Sequence, residues 1–210
     1  MKSKDSLIKD AIMLFLITLI SGLALSFVFE ITKAPIAEQK ALKLQKANQA
    51  VFVTADSFET DEGLMAKVSG LELGTLDGDY EGITIDEVSK ALNSEGELLG
   101  YNVSITTKQS YDDSLSLVFG YSKAGVIQGI AFTSLTETAG LGMKAADPAF
   151  IGQFLNKDVR KFNVTKTGAA SEDQIDAISG ATITSRAVAN AVNAGISFVT
   201  EYSEEFGGGR

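Results

Sequence analysis

A run of nineteen residues, Ala11 to Phe29, contains no charged side chain: AIMLFLITLISGLALSFVF. Coiled as an α-helix it extends about 28 Å, close to the hydrocarbon thickness of a bilayer. Lys9 and Asp10 bound it on one side, Glu30 and Lys33 on the other. A core helix in a small domain carries a polar stripe, and this run has none. It is therefore expected to cross a membrane once, as a segment 11–31 behind a short tail 1–10. The competing reading is a cleavable signal peptide, since Ala24-Leu25-Ser26 loosely mimics a small-x-small processing site. Against it, the apolar stretch exceeds the roughly 7–15 residues of such peptides. Charge does not decide the orientation: Lys2, Lys4 and Lys9 precede the run, and Lys33, Lys40, Lys43 and Lys46 follow it.

Beyond the anchor roughly 160–180 residues remain, enough for one well-buried domain of ordinary size. The formal charge is −9 over 210 residues, an acidic balance that repels nucleic-acid phosphates and excludes them as partners. The chain has no Cys and no His. Disulfides, thiol nucleophiles and iron–sulfur ligation are thereby excluded, and so are the usual catalytic base, haem ligand and most zinc sites. A chain with neither residue that handles electrons must do so through an organic cofactor.

Ala34-Pro35-Ile36 is expected to break the first helix and begin a second, with Pro35 in its first turn. Residues 32–53 then read as a helical stalk, and 54–82, rich in Gly, Asp, Glu and Thr, read mostly as loops. From Ile83 onward the residues alternate with period two, predicting strands Ile83–Leu92, Leu98–Thr106, Leu115–Tyr121 and Val126–Leu135. Gly96 and Gly100 are echoed by Gly125 and Gly129, each pair placing one glycine in a turn and one early in the next strand. Two successive hairpins of an antiparallel meander follow. A short helix is expected after Asp147-Pro148, a strand near Val159–Val164, and a long amphipathic helix from about Ser185 to Tyr202. The fold class is α+β: a domain 54–206 with one mainly antiparallel sheet and flanking helices, ending in a flexible tail 207–210.

The last helix is preceded by Asp176-Ala-Ile-Ser-Gly-Ala-Thr182-Ile-Thr-Ser185. Ser179, Gly180 and Ala181 have small side chains that leave backbone amides exposed. Thr182 offers a hydroxyl, and Thr184 or Ser185 can cap the helix. A helix start with free N–H groups and a positive dipole end is a seat for phosphate. Alone, such a string can equally be only a capped helix start. A second string, Thr136-Glu137-Thr138-Ala139-Gly140-Leu141-Gly142, follows the fourth predicted strand. Gly-x-Gly after a strand is usually a turn.

The two strings together resemble the FMN-binding domain family. The first is similar to its flavinylation motif. The second is similar to its Thr-Glu-Thr-Pro-Gly-Leu-Gly loop, with Ala139 where proline is commoner. With an N-terminal anchor, the chain resembles the G subunits of Rnf electron transport complexes, whose relatives are the C subunits of sodium-pumping NADH:quinone oxidoreductases. The resemblance implies that Thr182 carries FMN through a phosphoester placed there by a separate flavin transferase. It implies that Ser179, Gly180, Ala181, Thr184 and Ser185 serve the phosphate, and that Glu137, Thr138, Gly140, Leu141 and Gly142 meet the flavin ring. Arg186 can add a cation or face solvent, and Asp176 can orient the acceptor loop or be a solvated turn carboxylate. Tyr80, Tyr101, Tyr111 and Tyr121 can stack on a flavin or pack in the sheet, and none is assigned. The implied protein is an electron-relay subunit with no metal and no substrate-converting site of its own. It sits in the cell membrane beside other complex subunits, its flavin domain on the extracytoplasmic side. Two rivals are the corresponding subunit of the quinone-reducing relative, which is usually longer, and a non-redox anchored binding or assembly domain.

Overall fold

The computed structural model describes residues 4–69 and 80–203, so the tail assigned to 207–210 lies outside the described residues. The chain divides into two compact units, Met1–Lys43 and Leu44–Arg210. One helix, α1 (Lys4–Val51), runs without interruption through Pro35, which corrects the expected break there. Proline removes one amide hydrogen bond and crowds the preceding turn. The neighbouring Ala, Glu, Gln, Lys and Leu residues are strong helix formers, and they carry the helix past it. In the first unit the apolar side chains stand outward, Leu25 at 73% and Phe27 at 68% exposed. The hydroxyl of Thr18 donates to the Leu14 and Phe15 carbonyls, and that of Thr32 to Val28. Polar side chains satisfied by their own helix suit a surface surrounded by lipid. By length and composition this helix fits a single-pass membrane anchor.

The second unit is α+β. Strands β1 (Ser57–Thr60), β2 (Ile83–Leu92), β3 (Leu98–Thr107), β4 (Leu115–Ser122) and β5 (Ile127–Leu135) form an antiparallel meander in that spatial order. The alternating residues Val103, Ile105, Leu117 and Phe119 are all fully buried. They face the long helix α4 (Thr182–Tyr202), whose Val188, Val192, Ile196 and Val199 complete the same core cluster. Each such side chain removed from water contributes about 1.5–3 kcal/mol. Helix and sheet meet closely at Gly195, where a Cβ would lie 2.6 Å from the Phe119 ring and 2.8 Å from Ile105.

The echoed glycines serve two purposes. Gly96 and Gly125 turn their hairpins with φ of +78°, a conformation that disfavours any side chain bearing a Cβ. Gly100, Gly120 and Gly129 instead lie where the end of α1 crosses the opposite sheet face. A Cβ on Gly129 would sit 2.8 Å from Val51 Cα, and one on Gly100 2.9 Å from the Phe52 ring. Beside them the buried Asn102 amide donates to both the backbone and the side-chain oxygen of Asn48, each at 3.2 Å.

Part of the stretch expected to be loop is ordered. Strand β1 pairs with β2, and α2 (Glu62–Ser69) follows it. Asp61 caps α2: its carboxylate accepts the Leu64 N–H at 3.0 Å and pairs with Lys90 at 3.1 Å. Burial pushes the Asp61 carboxyl up, but the Leu64 amide, the Lys90 ammonium and the Gly63 amide together leave it below the usual 3.8. Leu64 is buried, with Met65 and Val68 beside it against the main core. Residues 70–79 lie outside the described set.

Asp147-Pro148 does start a helix, but α3 is a single turn (Pro148–Ile151) and the Asp147 side chain does not cap it. Phe150 and Phe154 nevertheless point into the core, with Phe154 edge-on to Phe162 at 5.0 Å. The strand expected near Val159–Val164 is reduced to β6 (Asn163–Thr165), which pairs in parallel with β7 (Gln174–Asp176). At this small ladder Ser171 and Asn163 hydrogen-bond the Asp173 carboxylate and hold it below its ordinary range.

Candidate functional site

Helix α4 begins three residues earlier than expected, at Thr182, with Ala181 at the cap position and no side-chain cap. The cause is the turn before it. Gly180 adopts φ +78°, and the Ala181 amide donates to the Ile178 carbonyl at 2.9 Å. The chain therefore enters the helix before Thr184 and Ser185 are reached, so neither residue caps it. Ser185 braces the turn instead. Its hydroxyl donates to the Ala181 carbonyl at 2.9 Å and accepts the Ile178 amide at 3.0 Å. Strand β7 is held on the other flank, where Gln153 accepts the Asp176 amide at 2.7 Å.

The second string folds directly against the first. The amides of Leu141 and Met143 return to the Thr138 carbonyl, forming a tight turn. Leu141 then rests on Gly180, where a Cβ would come within 2.9 Å of Leu141 Cδ2. The Glu137 side chain lies over Gly142, and a Cβ there would be 2.4 Å from Glu137 Oε2. Held in this way, Glu137 Oε1 accepts the Thr184 hydroxyl at 3.0 Å and the Tyr111 amide at 3.1 Å. One carboxylate thus ties together three stretches distant in sequence: the β3–β4 loop, the loop after β5 and the first turn of α4.

Between these stretches lies a cavity of about 470 Å³, lined by Tyr111, Glu137, Thr138, Leu141, Gly142 and the run Gly180 to Thr184. That volume falls in the range of about 300–1,000 Å³ common for small-molecule sites. Of the expected site residues, Gly180, Ala181, Thr182, Thr184, Glu137, Thr138, Leu141 and Gly142 line it. Ser185 is fully buried behind the wall. Ser179 and Gly140 are exposed outside the lining, as are Arg186 and Asp176. Tyr111, one of the unassigned tyrosines, also lines it, as does Ile183, which the sequence does not single out. The signal for Tyr111 was its position in the polar segment Lys108–Ser114, outside any strand. Ile183 could be found only once the helix start was known.

The hydroxyls are not equivalent. Thr184 is 1% exposed and donates to Glu137; Ser185 is 0% exposed and fully engaged. Thr182 is half-buried on the cavity wall, and among the described residues its hydroxyl has no partner. The first-turn amides of α4 have no carbonyl within their own helix to bond. Among the described residues no Lys or Arg lines the cavity, so an anion there would rely on these amides and on the dipole of a 21-residue helix.

Residues 110–197 match the FMN-binding domain family, and residues 1–51 match the RnfG N-terminal region. The chain is 31% identical to the G subunit of the Na(+)-translocating ferredoxin:NAD(+) oxidoreductase complex of Acetobacterium woodii, over 90% of this chain and 89% of that one. It is 27% identical to the G subunit of the ion-translocating oxidoreductase complex of Methanosarcina acetivorans, over 95% of this chain and 98% of that one. Among solved structures, NqrC of Shewanella oneidensis shares the fold, with a TM-score of 0.52 at 17% identity over 77% of this chain and 96% of that one. Anchor region, flavin-domain match and near full-length similarity agree, and the chain belongs to the G-subunit family of Rnf ion-translocating oxidoreductase complexes.

Proposed function

We propose that this chain is the electron-relay subunit of an Rnf-type ferredoxin:NAD oxidoreductase complex, carrying FMN joined by a phosphoester to Thr182. The observation that carries the attachment point is the state of the hydroxyls. Within Thr182-Ile-Thr-Ser185, only Thr182 offers an uncommitted hydroxyl to the cavity.

The residues present fit that group. The free amides at the start of α4 suit its phosphate. The apolar sides of Leu141 and Ile183, with the Tyr111 ring, suit an aromatic ring system. Bound there, FMN supplies reversible one- and two-electron transfer. The chain's own task is to hold and shield it. The Glu137–Thr184 bond fixes the first turn of α4, so the Thr182 hydroxyl is presented from a rigid element. Gly180 and Ala181 leave room for a flavin transferase to reach that hydroxyl.

On this reading electrons pass through the subunit without its converting a substrate, and its partners are the other membrane subunits of the complex. The tail 1–10, span 11–31, stalk 32–53 and domain 54–206 are the working division. The domain faces the extracytoplasmic side, where covalent attachment retains a cofactor that could not be readily replaced. Protease applied to right-side-out spheroplasts should cleave the domain; protection there would reverse the orientation.

The attachment is tested by intact mass and in-gel fluorescence of the full chain co-produced with the transferase. Wild type should carry one flavin, Thr182→Ala none, and Thr182→Ser should retain some. An unmodified wild type, or a fluorescent Thr182→Ala, would sink the assignment.

A further inference from the structure

The structure separates the five tyrosines sharply. Tyr80, Tyr101 and Tyr121 are buried in the core at 3%, 3% and 4% exposure. Tyr202 packs at 5.2 Å on Phe198. Tyr111 alone lines the cavity, and the residue is 70% exposed. An uncovered aromatic ring forgoes burial of about 150–250 Å² of surface, so its position calls for an explanation.

The loop beneath it is not slack. Gln109 accepts the Asn190 side-chain amide of α4 at 2.8 Å and donates to the Glu81 carbonyl at 2.9 Å. Ser110 donates to the Asp113 carbonyl across the turn. The Tyr111 amide itself is held by Glu137 at 3.1 Å. These bonds hold the loop backbone, so only the ring's own torsions have to be ordered for it to cover a ligand. The Tyr111 amide and the Thr184 hydroxyl hang from the same carboxylate oxygen, which couples the backbone that carries the ring to the first turn of α4.

From this cavity and this tethered loop we propose that Tyr111 is a positioning residue whose phenol ring packs on the isoalloxazine of the flavin attached at Thr182. The proposal rests on the flavin reading above and goes beyond it by naming the ring's cover. The chain contains no Trp, and among the described residues Tyr111 is the only readily oxidised aromatic lining the cavity. That gives the contact a specific signature. A photoexcited oxidised flavin touching a phenol takes one electron from it and returns it in the same contact, so emission is lost with no net reaction. Phenylalanine packs similarly but does not give up that electron.

The full-length chain co-produced with the flavin transferase is compared as wild type, Tyr111→Phe, Tyr111→Ala and Tyr202→Phe. Emission is normalised to flavin absorbance, and flavin stoichiometry is read by intact mass. Wild type should be dim and Tyr111→Phe severalfold brighter, with the lifetime-corrected rate constant of iodide quenching unchanged because the ring still covers the flavin. Tyr111→Ala should be bright and more strongly quenched by iodide, and Tyr202→Phe should match wild type. Equal emission per flavin in wild type and Tyr111→Phe would overturn the contact, as would equal brightening by Tyr202→Phe. A wild type without flavin removes the attachment and the contact together; a flavinylated wild type with unchanged variants removes only the contact.

Discussion

Gly142→Ala places a methyl group where the structure has no space. The new Cβ would stand 2.4 Å from Glu137 Oε2, 2.7 Å from Cδ and 2.9 Å from Cβ. Either the site stays packed and strains, or Glu137 swings away. Overpacking of this kind costs about 1–3 kcal/mol. Swinging away releases the Thr184 hydroxyl and the Tyr111 amide. Thr184 is 1% exposed, and a buried hydroxyl left unpaired also costs about 1–3 kcal/mol. The two routes agree, and for a domain of this size the melting temperature should fall by about 2–12 °C. Thermal unfolding of the full chain made without transferase isolates this cost from any cofactor. The decisive comparison is the same substitution in a Glu137→Ala background. That change deletes the two shortest contacts and keeps the 2.9 Å one to Cβ, so the added cost should fall without vanishing, by about 0.5–3 kcal/mol, a coupling of the size contacting residues show. An equal cost in both backgrounds would refute the argument that Gly142 exists to admit Glu137.

At the other sheet face, Gly129→Ala would drive a methyl against the backbone of Val51, 2.8 Å from Cα and 3.0 Å from the carbonyl oxygen. Backbone cannot rotate aside, so a loss of about 1–3 kcal/mol is expected in denaturant unfolding, whereas Val53→Ser, at a residue 78% exposed, should leave the midpoint unmoved. Asp61→Ala removes the cap of α2 and should cost about 1 kcal/mol at neutral pH. Because the folded carboxyl lies below the usual 3.8, its stabilisation is present above that pH and disappears as pH falls through the folded value. Acid titration of stability should therefore bring wild type and Asp61→Ala together at the lowest pH. Asp61→Asn should retain most of the cap, since its Lys90 partner is 42% exposed and such pairs contribute under about 1 kcal/mol.

The sheet was legible because its strands obey one local rule. Ile83 and Ile85, Val103 and Ile105, and Leu115 and Leu117 alternate with polar neighbours, and strands β2 to β5 follow within a residue or two. Where local and wider effects compete, the reading failed. Pro35 is a helix breaker by itself, but strong helix formers flank it and α1 continues. Ser57–Thr60 has little strand character and becomes β1 because β2 offers it an edge. The cap at Asp61, with Leu64 and Val68 spaced one helical turn apart, could have revealed α2. At the site, the two strings could be read separately, but their contact could not. That Glu137 reaches both Thr184 and Tyr111 depends on the meander bringing three loops to one end of α4, and no spacing in the chain encodes it.

Leu141 seated on Gly180 makes the two loops halves of a single joint. Each half is shaped to the other at this contact, so damage to one is felt across it. A bulkier residue at 180 should be eased only in part by trimming 141, because the φ of +78° there strains any side chain whatever the space, and no reading of either stretch by itself would pair them. The seat of the phosphate and the wall beside it are thus inherited as a matched set.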